Sequence, residues 1–202
     1  MKPKKEKQIM EKDPFVIANI TPGKLNALVK NMMRQTGIAN ANEVVRLFNS
    51  GNFELKVTNH IIDCDKAPLI LYDGWKVEEH IKGGQFAWNP EKVKLFLSVN
   101  QKYDTNTSMK GEELHKELKD QPVMNANVLD YLLDHPLIIP EEWKVDEKGK
   151  NRFIYFWGTI YRDPEDDLFV RYLSFTGGHW KQEHYWLCDG FNDNYSACVF
   201  TK

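Results

Sequence analysis

The stretch Arg152–Leu187, RFIYFWGTIYRDPEDDLFVRYLSFTGGHWKQEHYWL, decides the fold. Three aromatic-rich runs are separated by two turn signals. Asp163-Pro164-Glu165-Asp166 makes the first turn. Gly177-Gly178 makes the second, a two-residue hairpin loop in which both positions need positive φ, a conformation glycine adopts without a steric cost. A four-residue first loop and a two-residue second set the register of an antiparallel meander: Gly158 faces Arg171, and Arg171 faces His184. Side chains alternate along a strand, so Ile154, Phe156, Gly158, Ile160, Phe169, Arg171, Leu173, Phe175, Trp180, Gln182, His184 and Trp186 share one side, and Tyr155, Trp157, Tyr161, Val170, Tyr172, Tyr185 and Leu187 the other. Both sides are too apolar to be left wet, and such a sheet is normally covered by helices or a second sheet on one face, leaving the other for a partner, a ligand or more chain.

Working outward, the covering layer comes from helices. Asn125 precedes Val128, Leu129, Leu132 and Leu133 at helical spacing, and Pro136 ends that run at His135. Glu112, Leu114 and Leu118 form the helix before it. Nearer the N-terminus, Thr21-Pro22 opens a run with Leu25, Leu28, Val29 and Met32 that stops at Gly37, and Asn40 with Glu43 opens another that stops at Gly51. Between lie short β-like runs at 53–57, 85–88 and 93–98, and a short helix from Val77 to Ile81. The fold class is therefore α+β: a mainly antiparallel sheet with a C-terminal three- to four-stranded meander, covered by helical pairs. The expected organisation is a charged tail at 1–13, a helical hairpin at 14–51 and an α+β domain at 52–202.

Composition narrows the partners. The chain has 202 residues, 42% of them hydrophobic and 28% charged, values that specify a folded core rather than disorder. A formal net charge of -2 supplies no field for nucleic acid or anionic lipid. The helices ending at Leu118 and starting after Asn125 invite a helix-turn-helix reading, but Asp130 and Asp134 on the second would repel phosphates. No stretch approaches the roughly 20 apolar residues of a membrane span. Three irregularly spaced cysteines, Cys64, Cys188 and Cys198, fit a reducing compartment, and the expected location is cytoplasmic.

The chemistry-bearing residues cluster on the first face of the meander. Arg171, Gln182 and His184 form a polar island ringed by Phe169, Trp180 and Trp186, with Gly158 leaving room above it. A guanidinium and an imidazole among rings can hold an anionic or planar ligand through charge-assisted hydrogen bonds and stacking. The plainer alternative is that Arg171 pairs with a carboxylate, Asp189 or one from the helical region, and that His184 is a satisfied histidine. Two groupings with metal-ligating side chains, His184 with Cys188 and Cys198, and His60 with Asp63, Cys64 and Asp65, lack the close Cys-x-x-Cys pairing of a zinc site. No nucleophile elbow, phosphate loop, dinucleotide fingerprint or zinc-protease motif is present, and no cofactor is expected.

Four stretches carry a resemblance: Gly74–Glu79 through Gly83-Gly84, Asn125–Leu133, Ile139–Lys144 and Phe156–Asp163. From about residue 53 onward they are similar to a group of small hypothetical bacterial proteins. The resemblance implies no activity, cofactor or catalytic residue. The residues themselves point to a non-catalytic binding or interaction module that uses the aromatic-rich sheet surface for a small ligand or a protein partner, with Gly158, Arg171, Gln182, His184 and Trp186 as its site. The alternative is a small enzyme acting on an anionic substrate, with His184 as acid or base and Arg171 as electrostatic clamp.

Overall fold

The computed structural model describes residues 29–30, 32–33, 40–49, 60–101 and 108–201. The chain divides into two units, Met1–Val57 and Thr58–Lys202. In the first, residues 29–30 and 32–33 are helical and α1 spans Ala41–Asn49. Asn40 caps α1: its Oδ1 accepts from the backbone N–H of Asn42 at 2.9 Å, and its carbonyl accepts from Glu43. Met32 and Val44 are buried. The charged tail at 1–13, the strand at 53–57 and the boundary expected at 51/52 lie outside the described residues.

The second unit is α+β. In chain order it contains β1 (Ile61–Asp63), β2 (Lys76–His80), β3 (Gln85–Ala87), β4 (Val93–Phe96), β5 (Met109–Lys110), α2 (Gly111–Leu118), α3 (Ala126–Asp134), β6 (Phe153–Arg162), β7 (Leu168–Thr176), β8 (His179–Trp186), β9 (Gly190–Phe191) and β10 (Tyr195–Phe200). The main sheet runs β4-β10-β6-β7-β8. All its neighbours are antiparallel except β10 and β6, which are parallel along Tyr195–Ala197. The far half of the same β6 edge is taken by β2. Residues 76–80 are thus strand where a short helix over Val77–Ile81 is expected from the sequence. A segment that short cannot meet the nucleation cost of a helix alone, whereas the open edge of β6 offers partners to the N–H and C=O groups that face it.

The meander forms, with one correction to its register. The β7–β8 pairing is the expected one: Arg171 lies opposite His184, and the Gly177-Gly178 loop joins Thr176 to His179 with φ of 64° and 83°. Between β6 and β7 the pairs Tyr155↔Tyr172 and Ile160↔Val170 enclose a bulge, so residues 156–159 oppose Arg171 alone. Gly158 is therefore not in ladder with Arg171. Its N–H donates to the Met124 carbonyl at 2.9 Å, and its carbonyl accepts from Ile81 N–H at 2.7 Å. A Cβ at 158 would stand 2.9 Å from Asn125 Cα, Asn125 N and the Met124 carbonyl carbon, so glycine is required by the backbone that enters α3. The bulge also exchanges the faces beyond it: Ile160 packs with Tyr155 and Trp157, and Tyr161 with Phe169.

The two faces of the sheet carry separate cores. One joins Ile154, Phe156, Leu173 and Cys198 to Val128, Leu129 and Leu132 of α3, with Trp143. The other joins Tyr155, Trp157, Val170 and Tyr172 to Leu114 and Leu118 of α2, with Phe191. The helices α2 and α3, expected as a pair on the sheet, contribute to opposite faces. Segment 123–124 bonds to both strands there: Val123 bridges Val199, and Met124 donates to the Cys198 carbonyl while accepting from Gly158.

Candidate functional site

The entry of α3 is fixed first. Asn125 Oδ1 accepts from Asn127 N–H at 3.2 Å, and Asn125 Nδ2 donates to the Cys64 and Ile81 carbonyls at 2.8 and 2.9 Å. Thr159 Oγ1 accepts from Ala126 N–H at 3.0 Å. His80 Nε2 donates to the Cys64 carbonyl, which leaves Nδ1 as the acceptor 2.9 Å from the Thr159 hydroxyl. These bonds tie α3 at once to β1, β2 and β6.

The helix so placed presents Asn127, Asp130, Tyr131 and Asp134 in one stripe, because residues three, four and seven apart share a face. Across from the stripe stand Ile61, Asp63, Lys66, Ala67 and Leu69, and at its foot Arg171 and Gln182 of the sheet. Together with Ile62 and Leu133 these residues line a half-open cavity of about 580 Å³. That volume lies within the range of small-molecule sites.

Arg171 anchors the foot. Its side chain is 1% exposed and that of Asp130 28%. Nη2 and Nη1 donate to the two carboxylate oxygens of Asp130, the fork matched to its acceptor. Nη1 also donates to the Tyr161 hydroxyl at 3.3 Å, and Nε donates to Gln182 Oε1 at 2.7 Å. Burial works against the charged guanidinium, but the hydrogen bonds and charge of Asp130, helped by Tyr161, outweigh it and raise the Arg171 pKa above its ordinary value. The carboxylate partner of Arg171 is thus in the helical region and is not Asp189.

His184 is held elsewhere. Its ring lies 6.0, 4.9, 5.3 and 5.2 Å, centroid to centroid, from Tyr72, Trp75, Phe169 and Trp186, and it does not line the cavity. Burial holds its pKa below the usual histidine value, against the opposite pull of Glu183 and Asp163. Of the five residues expected to form one site, Arg171 and Gln182 meet at the cavity, His184 and Trp186 meet in the ring cluster, and Gly158 sits under Asn125. The aromatic surface expected to recognise a partner is largely core: Tyr155, Phe156, Trp157, Tyr161 and Phe169 are all buried.

The metal-ligating groupings do not converge, and the described residues hold no cluster of three or more such side chains. Cys198 is buried with Sγ 3.3 Å from Met124 Sδ, while Cys188 is exposed. His60 packs on Tyr131 and His135. Asn127, Lys66, Ala67 and Leu69, which also line the cavity, are not among the residues the sequence singles out, and Asp130 and Asp134 stand out there only as charges that repel phosphates. The polar stripe of α3 was the signal that could have found the cavity.

Among the described residues no helix is long and apolar enough to cross a membrane. In comparisons with family models, with curated proteins and with solved structures, nothing matches the chain.

Proposed function

We propose that the protein is a non-catalytic binding module that seats a small molecule in the cavity between α3 and the segment from β1 to Leu69. The observation that carries this reading is a cavity of about 580 Å³ whose foot is a hydrogen-bonded network of Arg171, Asp130, Gln182 and Tyr161. Such a network holds the wall in one geometry before a ligand arrives, which lowers the ordering cost of binding. The wall mixes apolar side chains, Ile61, Ile62, Leu69 and Leu133, with a few polar groups, the composition that suits a small organic ligand.

The enzymatic alternative draws less support from the same geometry. Arg171 commits four of its five N–H donors to Asp130, Tyr161 and Gln182, and His184 stands outside the cavity. An acid or base must reach the proton that it moves. Three free cysteines, two of them buried, support a cytoplasmic setting for the module.

The test is a ligand-observed NMR screen of a small-molecule set of mixed charge against the wild type and Ala67→Trp. Ala67 is an exposed residue of the cavity wall, so an indole there occupies the cavity without entering the core. The expected result is at least one compound bound by the wild type and released by the variant. Compounds that all bind both proteins equally would sink the reading.

A further inference from the structure

We infer that the cavity takes an organic cation, an aliphatic amine whose ammonium group meets α3 and whose hydrocarbon part meets Leu69 and Leu133. This rests on the cavity being the ligand seat and concerns only what the seat selects.

The first ground is charge. Three aspartates and two basic residues line the cavity, a formal surplus of one negative charge. Arg171 and Asp130 neutralise each other in a bidentate pair. Lys66 acts on Asp63, whose carboxyl is held below its usual value first by the backbone N–H of Asp65, then by Gln85 and the Lys66 backbone, with the Lys66 charge adding to the same direction. That leaves Asp134, which is exposed and has no hydrogen-bond or ion-pair partner among the described residues. The surplus charge therefore has a definite place on α3.

The second ground is independent of charge. Asn127 is 9% exposed, and its Nδ2 donates to the carbonyls of Asp63 at 3.0 Å and Lys66 at 2.7 Å. Two carbonyls can only accept, so they fix which end of the amide is nitrogen. Asn127 Oδ1 then accepts no hydrogen bond among the described residues. The described side-chain polar atoms that are both sealed in and unpartnered are Trp157 Nε1, Asp193 Oδ1 and Ser196 Oγ. Asn127 Oδ1 is not one of them, so its free lone pairs reach open space, and the space Asn127 lines is the cavity. A nearly buried acceptor with no donor of its own is a place for a donor on the ligand.

Asn127 and Asp134 are seven residues apart on one stripe of α3, about 10 Å along the helix. An acceptor at one end and an anion at the other suit an elongated ligand with a donor at each end. The features that least suit a cation are the Lys66 ammonium, which has no ion pair among the described residues, and the free donor end of Gln182, whose Oε1 is committed to Arg171 and which can serve a hydroxyl or carbonyl on the same molecule.

The experiment is calorimetric titration of the full chain with cadaverine, with pentanediol as its neutral counterpart and with glutarate as its charge-inverted one. Cadaverine is expected to bind roughly tenfold or more tighter than pentanediol, with glutarate weakest, and to weaken as salt is raised. Asp134→Lys changes an exposed side chain and should weaken cadaverine roughly tenfold while leaving the melting temperature unchanged. Glutarate bound as tightly as cadaverine, and lost in Ala67→Trp, would overturn the cation assignment and leave the cavity reading standing. Cadaverine affinity unaltered by Ala67→Trp would place the amine outside the cavity and sink both. Binding by none of the three at millimolar concentration also overturns the cation assignment.

Discussion

Replacing Gly158 by alanine tests the register correction at its origin. The added methyl would stand 2.9 Å from three backbone atoms, two of Asn125 and one of Met124, none of which can turn aside as a side chain can. Either β6 or the start of α3 must move. Overpacking of this kind costs about 1–3 kcal/mol. The two backbone hydrogen bonds of Gly158, to Met124 and from Ile81, would stretch with the shift, and each is worth about 1 kcal/mol when intact. Together the loss should be about 2–4 kcal/mol. For a chain of this length that lowers the melting temperature by about 5–15 °C. The assay is urea unfolding followed by far-UV circular dichroism, with a lower midpoint at an unchanged slope as the expected outcome. A loss below about 0.5 kcal/mol would refute the close approach of β6 to the α3 entry.

Other consequences follow from the same structure. Asp130→Ala leaves the Arg171 guanidinium buried without its carboxylate and should cost about 3 kcal/mol, whereas Arg171→Met with Asp130→Leu should recover most of it; a loss under about 1 kcal/mol in the single variant would count against the pair as an anchor. Burial depresses the folded-state pKa of both His184 and His60, the latter helped by His135, from an ordinary value of 6.5. Between the folded and unfolded values the unfolded chain binds more protons, so this contribution is complete above 6.5 and is lost as the pH falls below it. The urea midpoint should therefore be lower at about pH 5 than at about pH 7.5, and His184→Phe should flatten the dependence; a midpoint that rises on acidification would contradict it. Native protein should react rapidly with a thiol reagent at Cys188 alone, since Cys64 and Cys198 are buried and burial pushes the Cys64 thiol up to about 11. Three fast thiols before unfolding would show that the core on the α3 face of the sheet, which holds both buried cysteines, is open.

The legible part of this protein lies where local chemistry is strong. Gly177-Gly178 gave the β7–β8 register residue by residue, because a two-residue loop leaves no freedom. Asn125 and Pro136 bracketed α3 for the same reason: a cap and a breaker act within a turn of the chain. The β6–β7 register could not be read locally. Its bulge exists because Met124 and Ile81, distant in sequence, take the hydrogen bonds of Gly158, and nothing in residues 152–176 records that. From the bulge onward every face assignment on β6 reverses, which separated Ile160 from Phe169 and took Gly158 out of ladder with Arg171. The cavity was legible only in half. Arg171 and Gln182 stood out as polar residues on an apolar face, but Asp130 looked like surface charge until α3 was seen to turn that face toward β1.

The measurement that tests the central claim most directly is a crystal structure of the protein with the tightest-binding compound from the screen. The account predicts ligand density in the cavity between α3 and β1, within hydrogen-bonding distance of Asn127 Oδ1 or the Asp134 carboxylate, and with the Arg171–Asp130 pair intact. Density over the His184 ring cluster with the cavity empty, or Arg171 released from Asp130 to grip the ligand, would contradict it.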